Sequence, residues 1–137
     1  MISSIINAIS TSLTTEFNYA VFTEDTKQDM TIPCFLIANN NHTTELYMGR
    51  RYAVKNQFRI QFYPSEAAKQ EQCDGVNERI NWCLEYITVD GELMRGSKMM
   101  YEMINDVPTY SVNYDAFVYK IEETELMEAL AISTDAM

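Results

Sequence analysis

Hydrophobic residues near the start of the chain recur with the period of a helix. They stand three and four residues apart, which puts them on one side of a helix, while serine, asparagine and threonine fill the other side. The pattern predicts an amphipathic helix over residues 2–13, whose apolar stripe is formed by Ile2, Ile5, Ile6, Ile9 and Leu13.

A second helical stripe lies between residues 65 and 86. Pro64 ends the preceding segment, Ser65 is placed to cap the helix, and Glu66 in the first turn is favoured by the helix dipole. At about 100° per residue, one face of this helix carries the apolar residues Cys73, Val76, Ile80, Cys83, Leu84 and Ile87. We expect this face to pack on a sheet.

Strand patterns fill the region between the two helices. Residues 17–24 predict a first short strand, and the continuous apolar run CFLIA after Pro33 predicts a strand buried on both faces. The polar run NNNHTT, residues 39–44, predicts a loop. Residues 57–63 alternate between apolar and polar, so residues 45–63 predict a long bent strand or a hairpin that turns near Gly49.

Three further strand-like runs lie in residues 86–119, which read YITVDGELMRGSKMMYEMINDVPTYSVNYDAFVY. Turn signals such as Asp90-Gly91 separate them. The order α-β-β-β-α-β-β-β predicts an α+β domain, a mostly antiparallel twisted sheet with two helices packed on one face. We assign residues 1–121 to this single domain and residues 122–137 to an acidic C-terminal tail or a short docked helix.

Composition narrows the class of function. A chain of 137 residues is the size of one domain, and its three cysteines, with no CxxC pair, are typical of reduced core thiols. A net charge of −10 argues against tight binding of nucleic acid, which requires clustered lysine and arginine. The sequence has no signal-peptide pattern and no long apolar run, so we expect no membrane partner.

The charges are unevenly distributed. Residues 48–63 contain basic residues and no acid, whereas acids dominate after Met100, with Lys120 as the one base there. Regions of opposite charge on one chain suit head-to-tail self-assembly, and a generally solvated surface is the alternative. The basic residues of the first region are Arg50, Arg51, Lys55 and Arg59.

The residues that carry enzyme chemistry are scarce. His42 is the single histidine and stands in the polar run without a cysteine or carboxylate at ligand spacing. The glycines form no phosphate-binding loop, and Glu24, Asp25 and Asp29 lack the spacing of a calcium loop, so we assign them to a solvated turn. We therefore predict a protein that is not an enzyme and that has no cofactor and no metal site.

Three groups of residues are candidates for contact with partners. Trp82 and Tyr86 share a face of the second helix directed away from the core stripe, so they either anchor an interface or are covered by the C-terminal segment. Arg50 and Arg51, next to Gly49, either pair with acids of a neighbour or keep a hairpin end soluble. Methionines 94, 99, 100 and 103 either pack on a partner or are buried on two sides.

Three segments together resemble the phage tail terminator proteins, the tail-completion or tube-capping proteins of contractile-tailed phages and phage-tail-like bacteriocins. They are residues 86–119, TEDTKQDMTIPCFLI over residues 23–37, and GRRYAVKNQFRIQFYP over residues 49–64. The resemblance extends in order from about residue 1 to residue 119. The fold that it implies, a twisted sheet flanked by helices, is the same as the one predicted from the pattern.

The resemblance implies a structural role in a virion or tail-like particle assembled in the cytoplasm of a bacterial host. Such proteins form a ring, usually a hexamer, on the head-proximal end of the tail tube, where they end tube and sheath polymerisation and provide the head-joining surface. The implied partners are further copies of this chain, the tube protein, the sheath protein of a contractile tail and a head–tail connector. The alternatives are a head–tail connector protein of the same particle or a small-molecule-binding α+β domain.

Residue assignments follow from combining this role with the candidate contacts. We expect Arg50, Arg51, Lys55 and Arg59 to meet acidic groups of a neighbouring subunit or of the tube. We expect Trp82 and Tyr86 to be the apolar anchors. Acidic residues that line the ring would repel the phosphates of DNA passing through it.

Overall fold

The computed structural model describes residues 2–120 and 130–133, which form an α+β fold in the predicted element order. Two α-helices, a 3-10 helix and seven strands follow one another along this part of the chain. Their bounds are α1 Ile2–Phe17, β1 Ala20–Thr23, the 3-10 helix Glu24–Asp29, β2 Cys34–Met48, β3 Arg51–Tyr63, α2 Lys69–Glu85, β4 Tyr86–Val89, β5 Glu92–Ile104, β6 Val107–Lys120 and β7 Leu130–Ser133.

The strands form a mostly antiparallel sheet, as predicted. Six of them lie in the order β1-β2-β3-β6-β5-β4, and β7 pairs with the end of β6. Only the pairing of β1 with β2 is parallel among the described strands. The hairpin between β2 and β3 turns at Gly49, where a φ of +57° favours glycine.

The core lies on one face of this sheet, and both helices cover it. Alternation along β3 sends Phe58, Ile60 and Phe62 to that face, and β6 adds Val112 and Tyr114 beside them. The two helices contribute the apolar stripes predicted from the sequence, and burial of each such side chain stabilises the fold by about 1.5–3 kcal/mol. Their fully buried residues are Ile5, Ile9, Leu13, Val76, Ile80 and Leu84.

Two buried tyrosines fasten α2 to the sheet. The Tyr114 hydroxyl donates a hydrogen bond of 2.5 Å to the Leu84 carbonyl oxygen, and the Tyr110 hydroxyl donates to Asn77 Oδ1. Burial raises the pKa of both phenols, so each stays a protonated donor at neutral pH. The helix is therefore fixed along its length on the side of the sheet formed by β6.

Gly96 marks the point where β5 changes its partner. Arg95 pairs with β4, whereas Gly96 pairs with Tyr114 of β6. A Cβ atom at position 96 would lie 2.8 Å from the Leu84 carbonyl oxygen and 2.8 Å from Val112 Cγ2. The close approach of α2 and β6 therefore requires a residue without a side chain.

Residues 39–44 are not the predicted loop, because β2 continues through them to Met48. Backbone pairing with β3 holds this polar stretch as strand from residue 41 onward. A bulge at residues 39–41 starts it, and there the Asn39 side-chain amide donates to the carbonyl oxygens of Asn41 and Gln57. The polar composition reflects exposure and does not interrupt the strand.

The predicted cap of the second helix is also wrong. The helix begins at Lys69, with Ala68 as its N-cap residue, and Ser65 makes no cap. The Ser65 backbone N–H instead donates a 2.8 Å hydrogen bond to Gln72 Oε1, so the helix reaches back to the loop. The first helix extends to Phe17, past the predicted end at residue 13, which shortens the first strand to Ala20–Thr23.

The predicted C-terminal tail or docked helix falls largely outside the described residues. Residues 121–129 and 134–137 are not described, and between them Leu130–Ser133 forms β7. In the described part of the chain, neither α-helix combines the length and the apolar character that a membrane crossing requires.

Candidate interaction surfaces

The predicted basic residues lie in a row along the open face of the sheet. Arg51, Lys55 and Arg59 are four residues apart in β3, on the face opposite the core residues of that strand. Successive members of the row are about 14 Å apart, since a strand rises about 3.4 Å per residue. Arg50 precedes them in the turn of the β2–β3 hairpin, where its side chain is exposed. The structure thus brings the four residues onto one hairpin, although not into one cluster.

The end of this row next to the hairpin turn contacts aromatic rings. The guanidinium carbon of Arg51 lies 5.5 Å from the centre of the Phe117 ring, and the Tyr47 ring lies 5.1 Å from the same ring. Lys55 stands opposite Asp115 in the register of β3 and β6. Arg51 is therefore held by packing against the sheet, whereas Arg50 extends from the turn into solvent.

The end of the β2–β3 hairpin also exposes large apolar side chains. We call residues 46–50 the hairpin tip. Leu46, Tyr47 and Met48 each expose more than half of their side chains, and Met48 reaches 66%. Their exposure was not predicted, because the alternation of a strand does not show where the neighbouring elements end.

Trp82 and Tyr86 are both exposed but do not share a helix face as predicted, because α2 ends at Glu85 and Tyr86 is the first residue of β4, on the side of that strand opposite the buried Ile87. Trp82 is 76% exposed and Tyr86 is 47% exposed, so the prediction that they face away from the core is confirmed. Among the described residues, nothing covers the indole. Arg95 lies beside Tyr86, with its guanidinium carbon 5.8 Å from the ring centre, and Glu85 Oε2 lies 3.8 Å from Arg95 Nη2.

The structure separates these two groups of candidate residues. The basic row lies on the open face of the sheet, and Trp82 lies on α2, which packs on the opposite face. A shallow depression beside Trp82 is lined by Asn81, Glu85, Gly96, Ser97, Lys98 and Met99. The two surfaces can therefore contact two different partners at the same time.

The methionines after Gly91 divide between the core and the surface. Met94 is buried and Met99 is partly buried against the core, whereas Met100 and Met103 are exposed on β5. Tyr101 between them packs on Tyr110 with ring centres 5.1 Å apart and remains 47% exposed. Both alternatives left open by the sequence thus apply, to different members of the set.

The cysteines and the histidine lie in buried or hydrogen-bonded surroundings. Burial, followed by the charge of Glu16, raises the pKa of the Cys83 thiol to about 11, and burial also raises the pKa of Cys34. His42 Nδ1 lies 2.5 Å from Asn56 Oδ1, and Asn56 donates to the Tyr114 carbonyl oxygen. Within residues 2–120 and 130–133, no three His, Cys, Asp or Glu side chains stand together as metal ligands would.

Comparison with known protein families identifies a match. A family model described as phage tail terminator protein matches residues 4–125, which covers most of the chain and nearly all of the described elements. No match was found among curated proteins. Proteins of the matching family are structural components of phage tails, in agreement with the exposed apolar surfaces and with the predicted fold. The chain belongs to the phage tail terminator protein family.

Proposed function

We propose that this protein forms a ring on the head-proximal end of a tail tube. There it ends the addition of tube subunits, and of sheath subunits in a contractile tail, and it provides the surface to which a head is joined. The observation that carries the proposal is the match of the family model over residues 4–125. The ring would be a component of a virion or of a headless tail-like particle.

A terminator needs at least two different contacts. One contact holds the neighbouring copies in the ring, and the other binds the end of the tube without recreating the surface that recruits the next tube subunit. The hairpin tip and the residues Trp82 and Tyr86 meet this requirement, because they are exposed and apolar, and Trp82 lies on α2, across the sheet from the basic row. We assign the hairpin tip with its basic row to neighbouring copies and Trp82 with Tyr86 to the tube.

The acidic composition supports the same place in the particle. A net charge of −10 gives the ring a potential that repels phosphate. DNA that moves through such a ring is not held by the wall, since tight binding would require clustered basic residues.

Deletion of the gene in its source tests the proposal, with negative-stain electron microscopy of the particles as the readout. We expect tails of uncontrolled length without a defined head-proximal end, and restoration of uniform tails by the wild-type gene supplied in trans. Tails of normal length that fail to join heads would contradict the terminator role and would assign the chain to the head–tail connector.

A further inference from the structure

Two stretches of the sheet edge lack a strand neighbour among the described residues. On one edge, β1 covers only residues 34–37 of β2, so residues 38–48 have no strand on their outer side. On the other edge, β4 covers only residues 92–95 of β5, and α2 passes residues 96–99, so residues 100–104 have none. Unpaired backbone N–H and C=O groups of this kind can accept a strand from another chain.

The directions of the strands make these two stretches complementary. β2 and β6 both run antiparallel to β3 and therefore point the same way, whereas β5 points the opposite way. When two copies stand side by side with their helices on the same side, β2 of one copy meets β5 of the next in antiparallel orientation. Such a contact joins two different edges, so it repeats from copy to copy and can close a ring.

The side chains on the two stretches are apolar in a way that soluble edge strands usually avoid. The β2 stretch ends in Leu46, Tyr47 and Met48, and the β5 stretch carries Met100 and Met103, all of them about half exposed or more. Natural edge strands are normally protected by charges, proline or short length, because exposed apolar edges associate. Here the apolar residues end the free stretch of β2 and recur within the free stretch of β5.

Charge supports a contact between the two different edges. Arg50 extends from the hairpin tip, and Glu102 is exposed in the free stretch of β5 with Asp106 in the turn after it. Arginine suits pairing with carboxylates, and a pair of opposite sign favours one partner over a like-charged one. Pairing of β2 with β2 would not bring Glu102 or Asp106 to Arg50, and it would produce closed dimers.

We propose that the end of β2 in one copy, residues 46–48, adds to residues 100–104 of a neighbouring copy as an antiparallel strand pair, with Arg50 of the adjoining turn beside Glu102. The occupant of each free edge is thus a second copy of this chain. The inference depends on the ring of the proposed function and identifies the contact that joins its subunits.

Site-directed cross-linking within purified particles tests this pairing. Met48→Cys and Met100→Cys, which lie on the same face of the proposed strand pair, are introduced together into a chain in which Cys73→Ser and Cys83→Ser remove the two partly exposed thiols, and the particles are treated with a short bismaleimide. We expect a ladder of covalent multimers from the chain with both new cysteines and only monomers from each chain with one. Dimers from either single-cysteine chain would show pairing of identical edges and would overturn the proposal.

A charge exchange provides the second measurement. We expect Arg50→Glu or Glu102→Arg alone to lower the fraction of tails with normal length by about tenfold, and the combination to restore it. Asp25→Arg, exposed in the 3-10 helix and outside both proposed contacts, is the matched control and should leave tail length unchanged. Single variants that cap tails normally, or a combination that fails to restore capping, would overturn the pairing.

The two proposals can fail separately. An amine-reactive cross-linker applied to wild-type particles reports whether copies touch at all. Multimers in that experiment without the cysteine ladder would leave the ring intact and overturn the pairing of the two edges. Absence of the protein from tail ends would overturn the ring, and the pairing with it.

Discussion

The two parts of β2 differ in burial along their whole length. Residues 34–37 are all buried, on both faces, whereas residues 39–48 are all exposed, although the same strand continues and pairs with β3 through both. The first part pairs with β1 and contributes Phe35 and Ile37 to the core, whereas the second has no strand on its outer side among the described residues. The comparison shows that apolar pattern reports what covers a strand, while backbone pairing decides whether the strand exists.

Removal of a large side chain from the buried part should have the largest effect. Phe35→Ala deletes a fully buried ring that packs on Phe17 and Phe62, with ring centres 5.4 and 5.0 Å away. We expect the free energy of unfolding to fall by about 3–5 kcal/mol, measured by urea denaturation. A loss below about 1 kcal/mol would contradict the assignment of this part of β2 to the core.

A methyl group at position 96 should have the next largest effect. Gly96→Ala places a Cβ 2.8 Å from the Leu84 carbonyl oxygen, so we expect a loss of about 1–3 kcal/mol in thermal or urea unfolding. Gly75→Ala is the matched control, since its Cβ would meet nothing within 4 Å and alanine favours the helix by about 0.5–1 kcal/mol. Equal effects of the two changes would show that α2 does not approach β6 so closely.

Titration of the partly buried Cys83 thiol at alkaline pH should have a smaller effect on the free energy of unfolding. Because burial raises the pKa of Cys83 to about 11, the fold favours the protonated thiol. This stability is complete below the pKa of the unfolded thiol, near 8.5, and is lost as the pH rises toward 11. We expect Cys83→Ser to reduce the fall in unfolding free energy between pH 9 and 11 by about 1 kcal/mol or less.

The serine variant can keep the hydrogen bond that Cys83 Sγ donates to the Ser12 carbonyl oxygen at 3.3 Å. The comparison therefore isolates the titration from the loss of a contact. Identical pH profiles of the two proteins would show that the thiol is hydrated in the folded state.

Truncation in the exposed part of β2 should change stability least. Met48→Ser removes a 66% exposed side chain, so we expect the unfolding free energy to change by no more than about 0.5 kcal/mol. The same change should reduce incorporation of the protein into tails, measured by its amount per purified particle. A large loss of stability would contradict the view that the tip lies outside the core.

Periodicity predicted the elements whose burial is one-sided and regular. The stripe of α2 placed Ile80 and Leu84 in the core and Trp82 outside it, and each assignment is confirmed. Irregular geometry was harder to predict. The bulge at Asn39 and the reach of Gln72 to the Ser65 backbone depend on side chains that meet through the fold, and local propensity carries no signal for them.

The candidate surfaces were predicted in part. Charge identified Arg50 and its neighbours, and helical spacing identified Trp82 with Tyr86, but their roles in contacts remain predictions. The exposed Leu46 and Met103 were not identified, because their exposure depends on where adjacent strands end. A strand that extends beyond its neighbours can be recognised only when the pairing of the whole sheet is known.

The position of β6 has a consequence for the timing of assembly. β6 pairs with both β3 and β5. Arg51 at the start of β3 pairs with residue 119 near the end of β6, so this pair can form only after residue 119 has been synthesised. During synthesis the ribosome must therefore release nearly all of the described chain before the sheet can close, and pairing across such sequence distances is slow. The hairpin that carries Arg50 is thus synthesised early, but the sheet that supports it is complete only after β6 has been synthesised. Recruitment of other copies is therefore delayed until each copy has folded.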